Sequence, residues 1–203
     1  MSNAQAVFDA TNNEELAASY DKWAALYDSD LANQGGPGEA VAELMKYVAP
    51  NAKILDAGCG TGVVGQLLAE QGYTNLEGLD LSAGMLEQAA LKKCYSALHQ
   101  QALGENLNFA DATFDAVIII GVFVMAHVRS NALDELLRIT KPNGHIVFTL
   151  RPEFYENTDF KSTMQNLEKD GRWKLVNVTE PFHGRFKLHP EVNLQVWVYQ
   201  TAV

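Results

Sequence analysis

The chain has 203 residues, 47% hydrophobic and 20% charged, the composition of an ordinary globule of one-domain size and not of a disordered, collagen-like or disulfide-scaffold chain. Fifteen Lys and Arg against 25 Asp and Glu leave a net charge of -10, which repels phosphate backbones and argues against a nucleic-acid partner. The longest apolar run, Ala116 to Ala126, falls far short of the roughly 20 residues that span a bilayer, and the first basic side chain is Lys22; no membrane partner and no leader are expected, and the expected compartment is the cytoplasm.

In chain order, Leu16, Tyr20, Trp23, Ala24 and Tyr27 recur at helical steps and describe an amphipathic helix with an aromatic face. Gly35, Gly36 and Pro37 interrupt it, and Pro37 suits the start of a helix that buries Val41, Leu44, Met45 and Val48 and ends before Pro50. Short apolar strands then alternate with helices. Ile54-Leu55 precedes a helix at Val64 to Ala69, Leu76 to Leu81 precedes one at Met85 to Leu91, and Tyr95 to Leu103 is a weaker strand. Phe114 to Ile120 precedes a helix at Ala132 to Ile139. This alternation implies an α/β fold with a parallel sheet, and the nearly all-apolar Phe114 to Ile120 suits a strand covered on both faces. Lys141 to Gly144 reads as a turn launching the strand His145 to Leu150. A helix near Phe160 to Lys169 leads to two alternating runs, Lys174 to Phe182 and Val192 to Gln200, expected to pair as an antiparallel hairpin.

The two cysteines, Cys59 and Cys94, have no CxxC spacing, and the five histidines show no tight metal spacing, so no metal is expected.

The chemistry concentrates in Asp56-Ala57-Gly58-Cys59-Gly60-Thr61-Gly62, where the first strand turns into a helix at the ligand-binding edge of such sheets. Glycine there allows a tight turn and lets a ligand approach bare backbone. Asp80 closes the second strand, where a carboxylate can accept from both hydroxyls of a ribose. Together these features point to an adenosine-type cofactor. Gly60 to Gly65 also fits the GxGxxG dinucleotide pattern, which keeps an NAD-dependent dehydrogenase open as an alternative. An acid at Asp56 would face a pyrophosphate badly but suits an ammonium, which favours S-adenosylmethionine, whose carboxylate could meet the helix N-terminus.

The chain resembles the class I S-adenosylmethionine-dependent methyltransferases. Ile54 to Gly62 resembles the family's first motif, Leu79 to Leu86 its second strand and adenine-flanking residues, Phe114 to Val117 its fourth strand and Leu137 to Gly144 the turn before its fifth. Tyr20 to Asp28 with Gly121 to Phe123 and His127-Val128 is similar to the methyltransferase-like proteins of the Williams-Beuren syndrome region. The resemblance implies a Rossmann-like three-layer sandwich, with a mostly parallel seven-stranded sheet ending in the antiparallel hairpin. Residues 1–203 would form a single methyltransferase domain, with 1–35 a helical lid over the cofactor.

It also implies site roles. Tyr20, Trp23 and Tyr27 would screen the sulfonium. Asp56, Gly58, Cys59, Gly60, Thr61 and Gly62 would hold the amino-acid part, Asp80 and Leu81 the ribose, and Met85 would pack on adenine. Gly121 and Val122 would follow the methionine moiety. Where the family commonly has an acid for the adenine amino group this chain has Ala102, so Gln101 or backbone at Ala102 and Leu103 would take that role. His127, just past the fourth strand, is the candidate that takes or orients the acceptor's proton, and His183 lies in the hairpin loop. The expected reaction is methyl transfer to a small molecule, neutral or positively charged, with a cofactor-binding protein that performs no transfer as the non-enzymatic alternative.

Overall fold

A computed structural model describes residues 3–32, 34–124, 128–186 and 191–202. The chain runs through α1 (Asn3–Asp9), α2 (Asn13–Asp30), α3 (Pro37–Leu44), β1 (Ile54–Ala57), α4 (Val63–Glu70), β2 (Leu76–Asp80), α5 (Ala83–Leu91) and β3 (Ala97–Gln100). It continues through β4 (Phe114–Ile119), α6 (Ala132–Ile139), β5 (Thr140–Leu150), α7 (Pro152–Asn157), α8 (Phe160–Lys169), β6 (Trp173–Val178), β7 (Phe182–His183) and β8 (Asn193–Thr201).

The strands lie in the order β3-β2-β1-β4-β5-β8-β6, and β7 pairs with β8 as a short eighth strand. The first five are parallel, whereas β8 is antiparallel to both β5 and β6. The expected hairpin partners do pair, and β8 is inserted between β5 and β6. The sheet is mostly parallel and Rossmann-like, as expected.

Alternation along the central strands sends successive side chains to opposite layers. Val117 and Ile119 of β4, Ile146 and Phe148 of β5, and Trp197 and Tyr199 of β8 pack with α6 and α8 through Leu133, Leu136, Phe160 and Met164. Ala116, Ile118, Val147, Val196 and Val198 face the other layer and meet Val41 and Leu44 of α3 and Val64 and Leu68 of α4. All four residues of β1 are buried, as its central position requires.

Local signals set the helix starts. The Asn12 side chain accepts from the Glu15 N–H at 2.9 Å, and Glu15 accepts from the Thr11 N–H at 2.9 Å, which together cap α2. Ser82 caps α5 by accepting from the Met85 N–H at 3.0 Å. Pro37 stands in the first turn of α3, as its spacing predicts. The turn at Lys141 to Gly144 lies inside β5 and does not precede it. Phe114 pairs with Thr140 and Ala116 with His145, so one residue of β4 faces four of β5. The extra length is held by Lys141, whose Nζ donates to Asp115 at 2.8 Å, and by the positive φ of Asn143. No helix among the described residues is long and apolar enough to cross a membrane.

Candidate functional site

Strand order reverses between β1 and β4: the chain moves outward through β2 and β3, then returns to the other side of β1. A cleft opens at the carboxyl ends of the strands at such a switch point. Two connected cavities occupy it. The narrower, about 100 Å³, lies over β2 and is walled by α2. The larger, about 1050 Å³, runs from the glycine loop toward α3 and the segment after β7. Tyr20, Tyr27, Gly58, Gly60, Ile120, Gly121 and Val124 border both.

The loop after β1 stays against the sheet because Gly58 N–H and Cys59 N–H both donate to Leu79 O, at 2.7 and 2.9 Å. Gly58 has φ +77, and a Cβ there would stand 2.3 Å from Val122 Cγ2, so the β1 and β4 loops approach closely only because this residue lacks a side chain. Gly60 has φ +52, and a Cβ there would meet nothing within 4 Å. Its bare backbone therefore faces open space in the cleft.

Asp80 organises this edge. Oδ2 accepts from Gly60 N–H at 2.8 Å and Oδ1 from Ser82 N–H at 2.9 Å. Burial is the largest influence on its carboxyl and holds it above the ordinary range, against those N–H donors. Each carboxylate oxygen has a further acceptor direction, and Asp80 lines the narrow cavity, so a pair of ribose hydroxyls fits its donor demand. Leu81 and the buried Met85 line the same cavity.

At the far end of this cavity the Gln101 side-chain carbonyl accepts from Asn108 N–H at 2.6 Å. That oxygen is engaged within its own loop, which leaves the backbone of Ala102 and Leu103, also at the cavity wall, for an adenine edge. Asn13 and Leu16 of α2 close this end. Sequence reasoning missed both, because their relation to the sheet is set by how α2 docks.

The aromatic stripe of α2 covers the cleft. Tyr20 and Trp23 stack with centroids 6.4 Å apart, and Trp23 meets Tyr27 edge-on at 4.8 Å. Tyr20 and Tyr27 border both cavities and Trp23 the larger one. Burial pushes both tyrosine hydroxyls well up, so they stay neutral donors. Helix α2 is fastened by two carboxylates. Asp21 accepts from Ser82 Oγ at 2.5 Å and Gly84 N–H at 2.8 Å, and Asp28 accepts from Thr61 Oγ1 and, at 2.6 Å, from Lys92 Nζ.

Other candidates are placed differently. Asp56 is buried and borders neither cavity; its Oδ2 accepts from the Tyr95 hydroxyl at 2.6 Å. Gly62 also lies behind the loop, near the Tyr95 ring and Ala89. Cys59 and Thr61 border the larger cavity, and burial raises the Cys59 thiol far above its usual range, so it is no nucleophile. Gly65, the last glycine of the dinucleotide pattern, is explained by packing, since a Cβ there would stand 2.2 Å from the Tyr95 ring. Gly121 donates its N–H to Thr149 Oγ1 at 3.0 Å and, like Val122, lines the narrow cavity. His183 sits in β7, exposed and bordering neither cavity, whereas its neighbours Arg185 and Phe186 border the larger one. His127 lies outside the described residues.

Residues 55–148 match a family model described as a methyltransferase domain. Over 165 residues the chain is 39% identical to methyltransferase-like protein 27 of Homo sapiens, an alignment covering 76% of this chain and 66% of that protein. It is 34% identical over 143 residues to a malonyl-(acyl-carrier protein) O-methyltransferase of Serratia marcescens, covering 70% of this chain and 54% of that one. The chain thus spans about half to two thirds of the length of these curated relatives. Among solved structures, magnesium protoporphyrin IX methyltransferase from Synechocystis PCC 6803 with bound S-adenosylmethionine superposes with a TM-score of 0.69. The match covers 96% of this chain and 99% of that one at 16% identity, a likeness of fold.

Proposed function

We propose, from the premise that the chain belongs to the class I S-adenosylmethionine-dependent methyltransferases, that it transfers the methyl group of that cofactor to a small molecule held in the larger cavity. The observation that carries this reading is the shared wall: Gly58, Gly60 and Gly121 separate a narrow groove under Asp80 from a roomy cleft beside it. When bound, S-adenosylmethionine supplies a methyl group on a positively charged sulfur, open to attack by a nucleophile.

The chain's residues hold and enclose. Asp80 accepts the ribose hydroxyls, backbone at Ala102 and Leu103 meets adenine, and Met85 packs on its face. Gly60 keeps the backbone bare where the amino-acid part lies. Tyr20 and Tyr27 exclude water and offer ring faces to a cation. A methyl transfer of this kind needs alignment in a water-poor site more than a strong base, and effective molarity supplies much of the rate. The narrow cavity is far smaller than the roughly 300 Å³ and upward of ordinary ligand sites, so α2 must shift to admit a nucleoside. We assign residues 1–35 the role of that lid.

Calorimetry with S-adenosylhomocysteine, S-adenosylmethionine and NAD tests the cofactor. The first two should bind and NAD should not; binding of NAD alone overturns the reading. Transfer of a radiolabelled methyl group to small-molecule extracts, and not to RNA or protein fractions, is the result expected for the acceptor.

A further inference from the structure

One basic group in the larger cavity is left without an acceptor. Arg151 stands between β5 and α7, and its Nε is buried with no hydrogen-bond partner. The guanidinium carbon lies 5.7 Å from the centroid of the Phe186 ring, which supports the group from one side. The acids of the same cavity are already engaged: Asp28 by Thr61 and Lys92, Asp30 by the Trp23 indole N–H at 2.7 Å, and Glu39 by Gly36 N–H at 2.8 Å and Arg185 at 3.1 Å. No described carboxylate remains to pair with Arg151, and a buried N–H without an acceptor is unfavourable until something supplies one.

We propose that Arg151 receives a carboxylate borne by the acceptor, so that the substrate class is an organic monoanion with an apolar body. This inference rests on the methyltransferase reading of the same cleft. A guanidinium presents Nε and a terminal nitrogen as a fork that matches the two oxygens of a carboxylate. Phe123, Phe186 and Leu194 border the same cavity and suit a hydrocarbon chain or ring. One guanidinium amid a chain of net charge -10 balances a single negative charge better than the two of a phosphate monoester. On this proposal the acceptor is anionic, in place of the neutral or cationic one expected from net charge alone.

The test uses the full chain saturated with S-adenosylhomocysteine and straight-chain carboxylates from butyrate to dodecanoate, each compared by calorimetry with the alcohol and the alkyl phosphate of equal length. At least one carboxylate should bind more tightly than both counterparts, and Arg151→Gln should weaken it about 10- to 100-fold while S-adenosylhomocysteine affinity stays unchanged. The Arg151 Nε–H resonance of the wild type should move on adding that carboxylate, a readout that stands even if the variant does not fold. A carboxylate bound no better than its alcohol, a preference for the phosphate, an unmoved resonance or an unchanged preference in Arg151→Gln overturns the proposal. Failure of the wild type to bind S-adenosylhomocysteine overturns the cofactor reading instead.

Discussion

The Tyr95 hydroxyl donates to Asp56 Oδ2 across 2.6 Å, and its oxygen accepts from Gly65 N–H at 3.1 Å. One phenol thus joins the end of β1 to the first turn of α4 and fixes both sides of the glycine loop from beneath. Asp56 acts here as an internal strut and not as a wall of the cleft.

A pH dependence follows. Burial pushes the Asp56 carboxyl up to about 7 from 3.8. Between those values the folded chain keeps a proton that the unfolded chain has released, so this group's contribution to stability is full below the lower value and is lost as pH rises through the upper one. Asp56→Asn keeps a neutral partner for Tyr95 and removes the titration. Its stability in denaturant melts should match the wild type near about pH 4 and exceed it by on the order of 1 to 3 kcal/mol near about pH 8. Glu77, Asp115 and Glu135, whose carboxyls are lowered by their Lys, Arg or backbone N–H partners, act in the opposite sense and are common to both proteins. Parallel stability curves would contradict the assignment.

Asp80→Ala removes the acceptor proposed for the ribose hydroxyls and also leaves Gly60 N–H and Ser82 N–H without their partner. Two charge-assisted hydrogen bonds at a partly buried site contribute on the order of 2 to 3 kcal/mol, so S-adenosylhomocysteine should bind about 30- to 150-fold more weakly. Calorimetry on the folded variant decides; unchanged affinity would rule out the ribose role.

Much of this was legible in the sequence. Glycines between two apolar strands, followed by an acid at Asp80, encode a turn and a carboxylate at the cleft edge by local chemistry, and the structure places Gly60 and Asp80 in direct contact. Tyr95 and Arg151 were not legible. Their roles depend on what tertiary packing brings near them, a buried carboxylate for one and the lack of any acceptor for the other. The alternation of Val192 to Gln200 announced a strand, but period-two patterning is the same for an edge and an inserted strand, so the place of β8 between β5 and β6 did not follow. At Lys141 to Gly144 the Pro-Asn-Gly signal marked a turn correctly, while the pairing of Thr140 with Phe114 across the bulge carried the strand past it.

The lid role proposed for α2 gives a kinetic expectation. Asp28 joins Thr61 of the glycine loop to Lys92 at the end of α5, and so ties the helix across the cleft. Lys92→Met breaks one tie without touching either cavity. Amide exchange over residues 13–30 should quicken, and both association and dissociation of S-adenosylhomocysteine should accelerate while the dissociation constant changes little. Exchange in this segment that is equally slow in wild type and variant would leave α2 a fixed wall.

Gly58 gives the sharpest steric expectation. In Gly58→Ala the new methyl would stand 2.3 Å from Val122 Cγ2 and the residue would hold φ +77, so the variant carries both a clash and a backbone strain. The strain alone costs about 1 to 2 kcal/mol, and the clash adds on the order of 1 to 3 kcal/mol as the β4 loop is pushed away. Val122→Ala removes the colliding carbon, and the next nearest atom, Val122 Cβ, would stand at 3.5 Å, an ordinary contact. The double variant should therefore recover the clash and keep the strain, a coupling readable in a double-mutant cycle of denaturant melts. Because Gly58 and Val122 border the same cavity, Gly58→Ala alone should also weaken S-adenosylhomocysteine, and the double variant should restore part of that affinity. Strict additivity of the two substitutions would mean that the loops do not meet at this point.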